Sequence, residues 1–333
     1  MTNKLRLSIV GCGGIADYIS FFARLTPGVQ LTAACDISRD RVEAFARKHK
    51  IPTVYTDYTE MLAAGGFQAV YLAVPHNLHF EMVKAAVDAG LHVFVEKPIT
   101  RTLAEGQEIM AYAAKKGIKV GVNYQYRYDR GCYRLAKAVQ AGALGRVLYA
   151  RINVPWHRER NYFEASPWHK SLAQAGGGTL ITQASHLIDI VLWAVGCPPA
   201  SAMGYTDRKI FADVEVEDFA AGTVELENGV IIQVTSSMVA ATEQPVSIEI
   251  YGEKGTAIYS SNPWPRVRFI GVKTKAEKPP QWGFHALHRS LKGFRDWILY
   301  DEPYLIPAEA ALPALQAVEG IYRSNKAESR VKI

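Results

Sequence analysis

Leu5-Arg6-Leu7-Ser8-Ile9-Val10-Gly11-Cys12-Gly13-Gly14-Ile15-Ala16 changes character twice, and those changes set the architecture that follows. Leu5 to Val10 is a short apolar run that reads as a strand. The glycines break it, and Ile19, Phe22, Ala23 and Leu25 then recur at helical spacing. In Gly11-x-Gly13-x-x-Ala16 the first glycine permits a tight turn and the second lets backbone approach a pyrophosphate at the helix N-terminus. The small Ala16 lets helix and strand pack closely. The alternation continues outward. Val29 to Cys35 reads as a strand, Ser38 opens a helix filled by Arg41 to Lys48, and Thr53 to Tyr55 is a short strand. A helix capped by Asp57 and Glu60, a buried run from Ala69 to Val74 and a helix from Leu78 to Ala89 follow, then a strand at His92 to Glu96, a helix opened by Thr102 and Glu105, and a strand at Lys119 to Val122. Six strands alternating with helices predict a parallel, doubly wound α/β sheet, a Rossmann dinucleotide-binding domain over residues 1–122.

The second strand ends in Asp36, 23 residues after Gly13. A carboxylate there accepts hydrogen bonds from both adenosine ribose hydroxyls and repels a 2′-phosphate, which predicts NAD rather than NADP. Arg39 reads as an exposed arginine at the helix start, and leaves NADP open only if it swings in to pair with that phosphate. Gly11, Gly13, Gly14, Ile15, Asp36 and Ile37 are the candidate cofactor-binding residues of this region.

The 333 residues suit two domains at roughly 150 residues each. A composition of 49% hydrophobic and 21% charged residues excludes disordered, collagenous and disulfide-scaffold classes. The net charge of +6 is too diffuse for a nucleic-acid-binding stripe. Cys12, Cys35, Cys132 and Cys197 lie far apart without metal-ligand spacing, so neither a disulfide framework nor a metal site is expected, and a reducing cytoplasm is the simplest compartment. The opening run is too short for a secretory segment, and no membrane span is expected. GxxxxGK[ST] and GxSxG are absent from the sequence, which leaves phosphoryl transfer and serine hydrolysis unsupported.

Beyond Val122 the pattern turns β-rich, at Val147 to Val154, Phe219 to Leu226, Val230 to Ser236 and Val246 to Tyr251, with a hairpin turn at Gly252-Glu253-Lys254-Gly255. Two motifs flank this change. Val74-Pro75-His76-Asn77-Leu78-His79, followed by Ala89-Gly90-Leu91-His92-Val93-Phe94-Val95-Glu96-Lys97-Pro98, resembles the TPNxxH…AGxHVxxEKP signature of the glucose–fructose oxidoreductase/inositol dehydrogenase (Gfo/Idh/MocA) family. Gly176-Gly177-Gly178 through Thr182, Gln183, His186 and Asp189 is similar to that family's GGGxLxDxGxHxxD helix. The resemblance implies a second domain over residues 123–333, with an open, mostly antiparallel sheet in an α+β arrangement, and a site between the domains. It also implies a helix at 308–324 packing back towards the nucleotide domain. An open apolar sheet face is costly to leave wet, so a homodimer or homotetramer through that sheet is expected.

The resemblance also carries roles. It places Lys97 beside the nicotinamide and the substrate hydroxyl, and His186 within reach of the same oxygen. An imidazole with pKa near neutrality suits a general base and a lysine suits the cation that steadies an alkoxide, so His186 is assigned as base and Lys97 as electrostatic and relay partner, with the reverse assignment open. Val74, Pro75, Asn77, His79, Glu96 and Gln125 join the cofactor set; Glu96 either orients Lys97 or touches the nicotinamide end. Where inositol dehydrogenase-like members have an aspartate, Thr182 stands, so the expected i, i+4 neighbour of His186 is a hydroxyl. Asp189 is read as a helix anchor or a structural carboxylate. Trp156, Tyr162, Trp168 and His169 line an aromatic, basic segment suited to a sugar face, and Arg127, Thr182 and Gln183 complete the substrate set. His285 and His288 read as surface or loop residues. The expectation is an NAD-dependent dehydrogenase or reductase acting on a sugar, polyol or sugar derivative. A redox-neutral enzyme working through a transient keto sugar and a ligand-sensing regulator of the same fold are the alternatives.

Overall fold

The computed structural model describes residues 4–261 and 266–333, which divide into two compact units. The first holds β1 (Leu5–Val10), β2 (Val29–Cys35), β3 (Thr53–Tyr55), β4 (Ala69–Leu72), β5 (His92–Val95) and β6 (Val120–Val122), all parallel, in the order β3-β2-β1-β4-β5-β6. Helices α1 (Gly14–Arg24), α2 (Arg39–His49), α3 (Tyr58–Ala64), α4 (His79–Asp88) and α5 (Leu103–Lys115) make the crossovers. Every residue of β4 is buried, as expected of a strand with both faces covered. The helix starts form where the capping residues stand. Ser38 accepts the Arg41 N–H at 3.4 Å and Asp57 accepts the Glu60 N–H at 2.9 Å, each satisfying a donor that has no intrahelical partner.

The second unit begins with α6 (Arg130–Gln140), β7 (Val147–Pro155), the short α7 (Asn161–Ala165) and α8 (Leu172–Ala175), and α9 (Ser185–Val195). Strands β8 (Pro199–Asp207), β9 (Phe219–Leu226), β10 (Ile231–Ser237), β11 (Ser247–Gly252), β12 (Thr256–Ser260), β13 (Arg266–Ile270) and β14 (Val331–Lys332) join β7 in the order β13-β12-β11-β7-β10-β9-β8-β14. The sheet is mixed: β7 and β10 are parallel and the other pairs antiparallel. The predicted hairpin closes between β11 and β12, where the Gly252 N–H donates to the Gly255 carbonyl at 2.9 Å. Alternation along β7 buries Ala150, Ile152 and Val154 while Tyr149, Arg151 and Asn153 stay exposed. Helices α6 and α9 pack on the sheet, and Met203 and Tyr205 on β8 are exposed. The run Leu172–Val195 is long and apolar enough to cross a membrane, but it is mostly buried in the unit's own core.

Residues 280–310 cluster with the first unit, as do 123–125. They contain α10 (Ala286–Tyr300), whose Phe294 stacks on Phe94 of β5 with centroids 4.9 Å apart. His288, expected at the surface, is buried and stacked 5.2 Å from Phe22 of α1, because the apolar face of α10 turns it inward. His285 is exposed and caps α10, its Nδ1 accepting the Leu287 N–H at 3.2 Å. The last helix, α11 (Ala308–Ala327), clusters with the second unit from Ala311 onward.

Candidate functional site

In the first unit the chain leaves β1 through Gly11, whose φ is +82°. A Cβ there would sit 2.2 Å from the Ala73 carbonyl oxygen, so only glycine fits. Gly13 and Gly14 differ: both are exposed, and a Cβ on either would meet nothing within 4 Å. Nothing in the fold demands glycine at these two positions. They open space in front of the N-terminus of α1, where the first N–H groups lack intrahelical partners and the helix dipole is positive. A pyrophosphate fits that place. Ile15, half-buried, follows in the first turn.

Asp36 is buried beside this turn. Its Oδ2 accepts the Cys12 N–H at 2.9 Å, and its Oδ1 accepts the Ser38 N–H at 2.9 Å and Arg41 Nη1 at 3.2 Å. The arginine beside Asp36 is therefore Arg41. Arg39, at the start of α2, is exposed and pairs with Glu43 at 3.7 Å, one helical turn on. Ile37 is 92% exposed.

Past β4, Val74 and Pro75 lead into a 3₁₀ turn over His76–Leu78. Asn77 Oδ1 is buried without a hydrogen-bond partner, and so is Gln125 Oε1, just after β6. Orphaned acceptors of this kind fit the donors of a carboxamide-bearing cofactor. His79 does not face that space. Its Nδ1 lies 2.8 Å from the Pro98 carbonyl and its Nε2 3.0 Å from the Val74 carbonyl, so the ring braces the two motif segments together, and burial lowers its pKa. Glu96 likewise turns into the core. Its Oε1 receives the Tyr71 hydroxyl and Asn123 Nδ2, the latter at 2.6 Å, and Asn123 Oδ1 in turn accepts the Ser290 hydroxyl at 3.0 Å. Burial raises the Glu96 pKa, opposed by these donors and by the charge of Lys97. The next residue, Lys97, is half-buried and precedes a cis bond to Pro98.

In the second unit the triple glycine has three separate reasons. Gly176 closes α8 at φ +78°; a Cβ on Gly177 would lie 2.1 Å from the Tyr322 hydroxyl, and one on Gly178 1.8 Å from the Glu217 carbonyl oxygen. The buried Glu217 carboxylate accepts the N–H of Gly178 at 2.7 Å, that of Leu180 at 3.0 Å and the Tyr322 hydroxyl at 2.8 Å. It thereby caps the helix that carries the motif. Glu217 and Tyr322 escaped sequence reading because they lie far along the chain from the glycines they hold.

The helix starts as a π turn, Leu180–Ala184, a form that recurs at functional sites. Within it Thr182 turns its hydroxyl back to the Gly178 carbonyl at 2.7 Å. Gln183 Oε1 accepts the Thr179 hydroxyl at 3.2 Å, while its Nε2 is buried with no partner. His186 is buried at the start of α9, its ring 5.1 Å from that of Tyr126. Tyr126 was not singled out from sequence, and nothing in its spacing marks it. The neighbouring Arg127, expected to bind substrate, is spoken for. Its Nε and Nη2 donate to Asp189 at 2.8 and 2.7 Å in a buried bidentate pair, and its guanidinium lies 5.3 Å from the Trp193 ring.

The aromatic segment does assemble. Tyr162 stacks on His169 with centroids 4.3 Å apart, and Trp168 lies 3.8 Å from the same imidazole. The Arg158 guanidinium sits 4.8 Å from the Trp156 ring and 5.5 Å from that of Tyr162. Burial raises the Tyr162 pKa, with Thr182, Arg158 and Gln183 opposing. Tyr162 and Trp168 pack on an apolar cluster of Phe163, Ala175, Phe211, Val214, Val216 and Met238, which supports this segment from below. The segment thus meets Thr182 and Gln183 around the Tyr162 ring. Among the described residues no group of three His, Cys, Asp or Glu side chains could hold a metal ion. A 510 Å³ surface concavity lined by Ser201, Glu225, Arg330 and Lys332 contains none of the candidate residues.

Two family models match the chain: "Oxidoreductase family, NAD-binding Rossmann fold" over residues 5–124 and "GFO/IDH/MocA C-terminal domain" over 133–258. The D-glucoside 3-dehydrogenase of Escherichia coli (strain K12) is 26% identical, covering 100% of this chain and 98% of that protein. The inositol 2-dehydrogenase of Salmonella paratyphi B is 27% identical over 76% of this chain and 73% of its own length. Among solved structures, the WlbA dehydrogenase from Chromobacterium violaceum, in complex with NADH and UDP-GlcNAcA, superposes with a TM-score of 0.90 at 25% identity, covering 99% of this chain and 96% of that one.

Proposed function

Since the chain belongs to the Gfo/Idh/MocA family of NAD-binding oxidoreductases, we propose that it transfers a hydride between a nicotinamide and a secondary alcohol or ketone of a sugar, polyol or sugar derivative. The observation that carries this reading is the pair of exposed glycines, Gly13 and Gly14, which leave open the space before α1 that a dinucleotide needs. NAD, when bound, supplies the hydride acceptor. Gly13, Gly14 and Ile15 hold its pyrophosphate and Asp36 its adenosine ribose, with Ile37, Val74, Pro75, Asn77 and Gln125 along its length. Asp36 favours NAD over NADP, and Arg41 moderates that preference by sharing the carboxylate. His186 accepts the substrate hydroxyl proton and Lys97 steadies the alkoxide oxygen. Trp156, Tyr162, Trp168 and His169 offer stacking faces to the sugar, with Thr182 and Gln183 beneath. Arg127 acts as a positioning residue through Asp189. We also propose that a second copy covers the sheet face bearing Tyr149, Met203 and Tyr205, which are exposed; light scattering on the purified chain checks this, and a monomer refutes it.

The deciding experiment is a spectrophotometric screen for NADH or NADPH formation with sugars, polyols, aldonates and nucleotide sugars. Turnover with NAD that is lost in Lys97→Ala and in His186→Ala supports the reading. Failure of either nicotinamide nucleotide to bind at millimolar concentration, or turnover unchanged in both variants, overturns it.

A further inference from the structure

Two side chains beside the Tyr162 ring, Arg158 and Gln183, carry N–H donors without hydrogen-bond partners among the described residues. The Arg158 side chain is 27% exposed and its guanidinium lies near the faces of both Trp156 and Tyr162. Its Nη1 donates to the His157 carbonyl at 2.8 Å, and among the described residues Nε and Nη2 have no hydrogen-bond partner. The nearest acid, Glu243, stands 3.8 Å from Nη1, beyond hydrogen-bond distance, and the same carboxylate oxygen already accepts the His157 N–H at 3.2 Å. Asp189, also in this unit, is committed to Arg127. Gln183 adds a second open donor, its buried Nε2. Both donors adjoin Tyr162: Arg158 against its ring, Gln183 close enough to its hydroxyl to affect it.

A neutral polyol hydroxyl both donates and accepts, so a site for one needs acceptors as well as donors. An anionic oxygen only accepts, and a planar guanidinium fork matches a carboxylate or phosphate. We propose that Arg158 is the specificity residue of this site and that its substrate is a sugar carrying an anionic group, whose charged oxygens meet Arg158 while the ring lies alongside the aromatic segment. The proposal rests on the sugar-oxidoreductase reading above and narrows it.

The test compares kcat/KM for methyl glucoside, methyl glucuronide and glucose 6-phosphate with NAD present, in the wild-type chain, in Arg158→Met and in Arg160→Met. Arg160 is the control, a nearby arginine paired with Asp213 at 2.7 and 2.9 Å. The expected result is a preference of about tenfold to hundredfold for one anionic sugar over the glucoside. That preference falls towards unity in Arg158→Met and with rising salt, and persists in Arg160→Met. Whichever of glucuronide and phosphate shows the Arg158-dependent preference identifies the group. Calorimetric binding of the same three sugars to folded wild-type and Arg158→Met protein decides the matter if none is turned over. Equal treatment of neutral and anionic sugars, or a preference unchanged in Arg158→Met, overturns the proposal while leaving the oxidoreductase reading intact. Loss of nicotinamide binding overturns that reading instead, and the calorimetric comparison still reports on Arg158.

Discussion

Removing the charge of Asp189 should damage the second unit more than any nearby surface change. Arg127 and Asp189 are 5% and 1% exposed, joined by two hydrogen bonds of 2.7 to 2.8 Å. Asp189→Asn keeps the shape and leaves the guanidinium buried without a counter-charge. Breaking a buried pair from one side costs about 3–5 kcal/mol, because the remaining ion has lost its compensation and cannot reach water. At about 2–4 °C per kcal/mol for a unit of this size, the unfolding temperature should fall by roughly 6–20 °C, read by differential scanning calorimetry. Replacing both partners with apolar residues, Arg127→Met with Asp189→Leu, removes the desolvation problem and should recover stability to within about 1 kcal/mol of the parent. The double variant also separates two roles for Arg127. As a positioning residue, its loss alters kcat by shifting Tyr126 and His186, which flank the pair in sequence, while KM changes little; as a substrate ligand, its loss raises KM. A single variant that loses less than about 1 kcal/mol, or a double variant as unstable as the single one, would refute the argument from an uncompensated buried charge.

The two kinds of glycine in the first turn should also part company. Gly13→Ala should leave the melting temperature unchanged and weaken NAD binding about tenfold in a fluorescence titration, since its Cβ enters only the open space. Gly11→Ala should cost about 3 kcal/mol or more in stability, through its φ of +82° and the overlap with Ala73; equal behaviour of the two variants would contradict the assignment. Burial raises the Cys12 thiol from 9.0 to about 12, with Asp36 adding to it, and the Cys35 thiol to about 11. Both should therefore resist Ellman's reagent at pH 8 in the native chain while the less buried Cys197 reacts, and labelling of Cys12 ahead of Cys197 would refute this. The sign for stability follows. These groups favour the folded state while protonated, so their contribution is intact below about pH 9 and declines as pH rises towards about 12, the unfolded thiols ionising first.

Local chemistry explains what could be read in advance. A six-strand parallel sheet was legible because each strand is a compact apolar run between capped helices, and a strand buried on both faces needs no partner-specific signal. The glycine turn and Asp36 were legible for the same reason: their spacing is set within one βαβ unit. The long mixed sheet was legible only in part. β8 was missed because its buried positions do not alternate cleanly and Gly204 interrupts it; that glycine is required by Ile321, whose Cγ2 would be 2.5 Å from a Cβ there. Arg39 is the exposed helix-start residue its position suggests, but that Arg41 would reach Asp36 was not legible, because it depends on where the capped helix starts. The direction of the Thr182 hydroxyl was not legible either: it turns back to the Gly178 carbonyl within a π turn that no residue pattern in Leu180 to Ala184 announces.

The dinucleotide fold, the glycine turn and the acid at the end of the second strand follow from the amino-acid sequence alone, because each belongs to a short segment whose geometry is dictated locally; Lys97 and His186 were marked by the motifs around them. What the polar side chains face is set by packing between distant segments. Arg127 is drawn to Asp189 and Glu96 to Tyr71 and Asn123, while Glu217 caps a distant helix and Arg158 keeps part of its fork open. A buried charge takes whichever partner the packing brings within about 3 Å, and that choice is made between segments far apart in the chain.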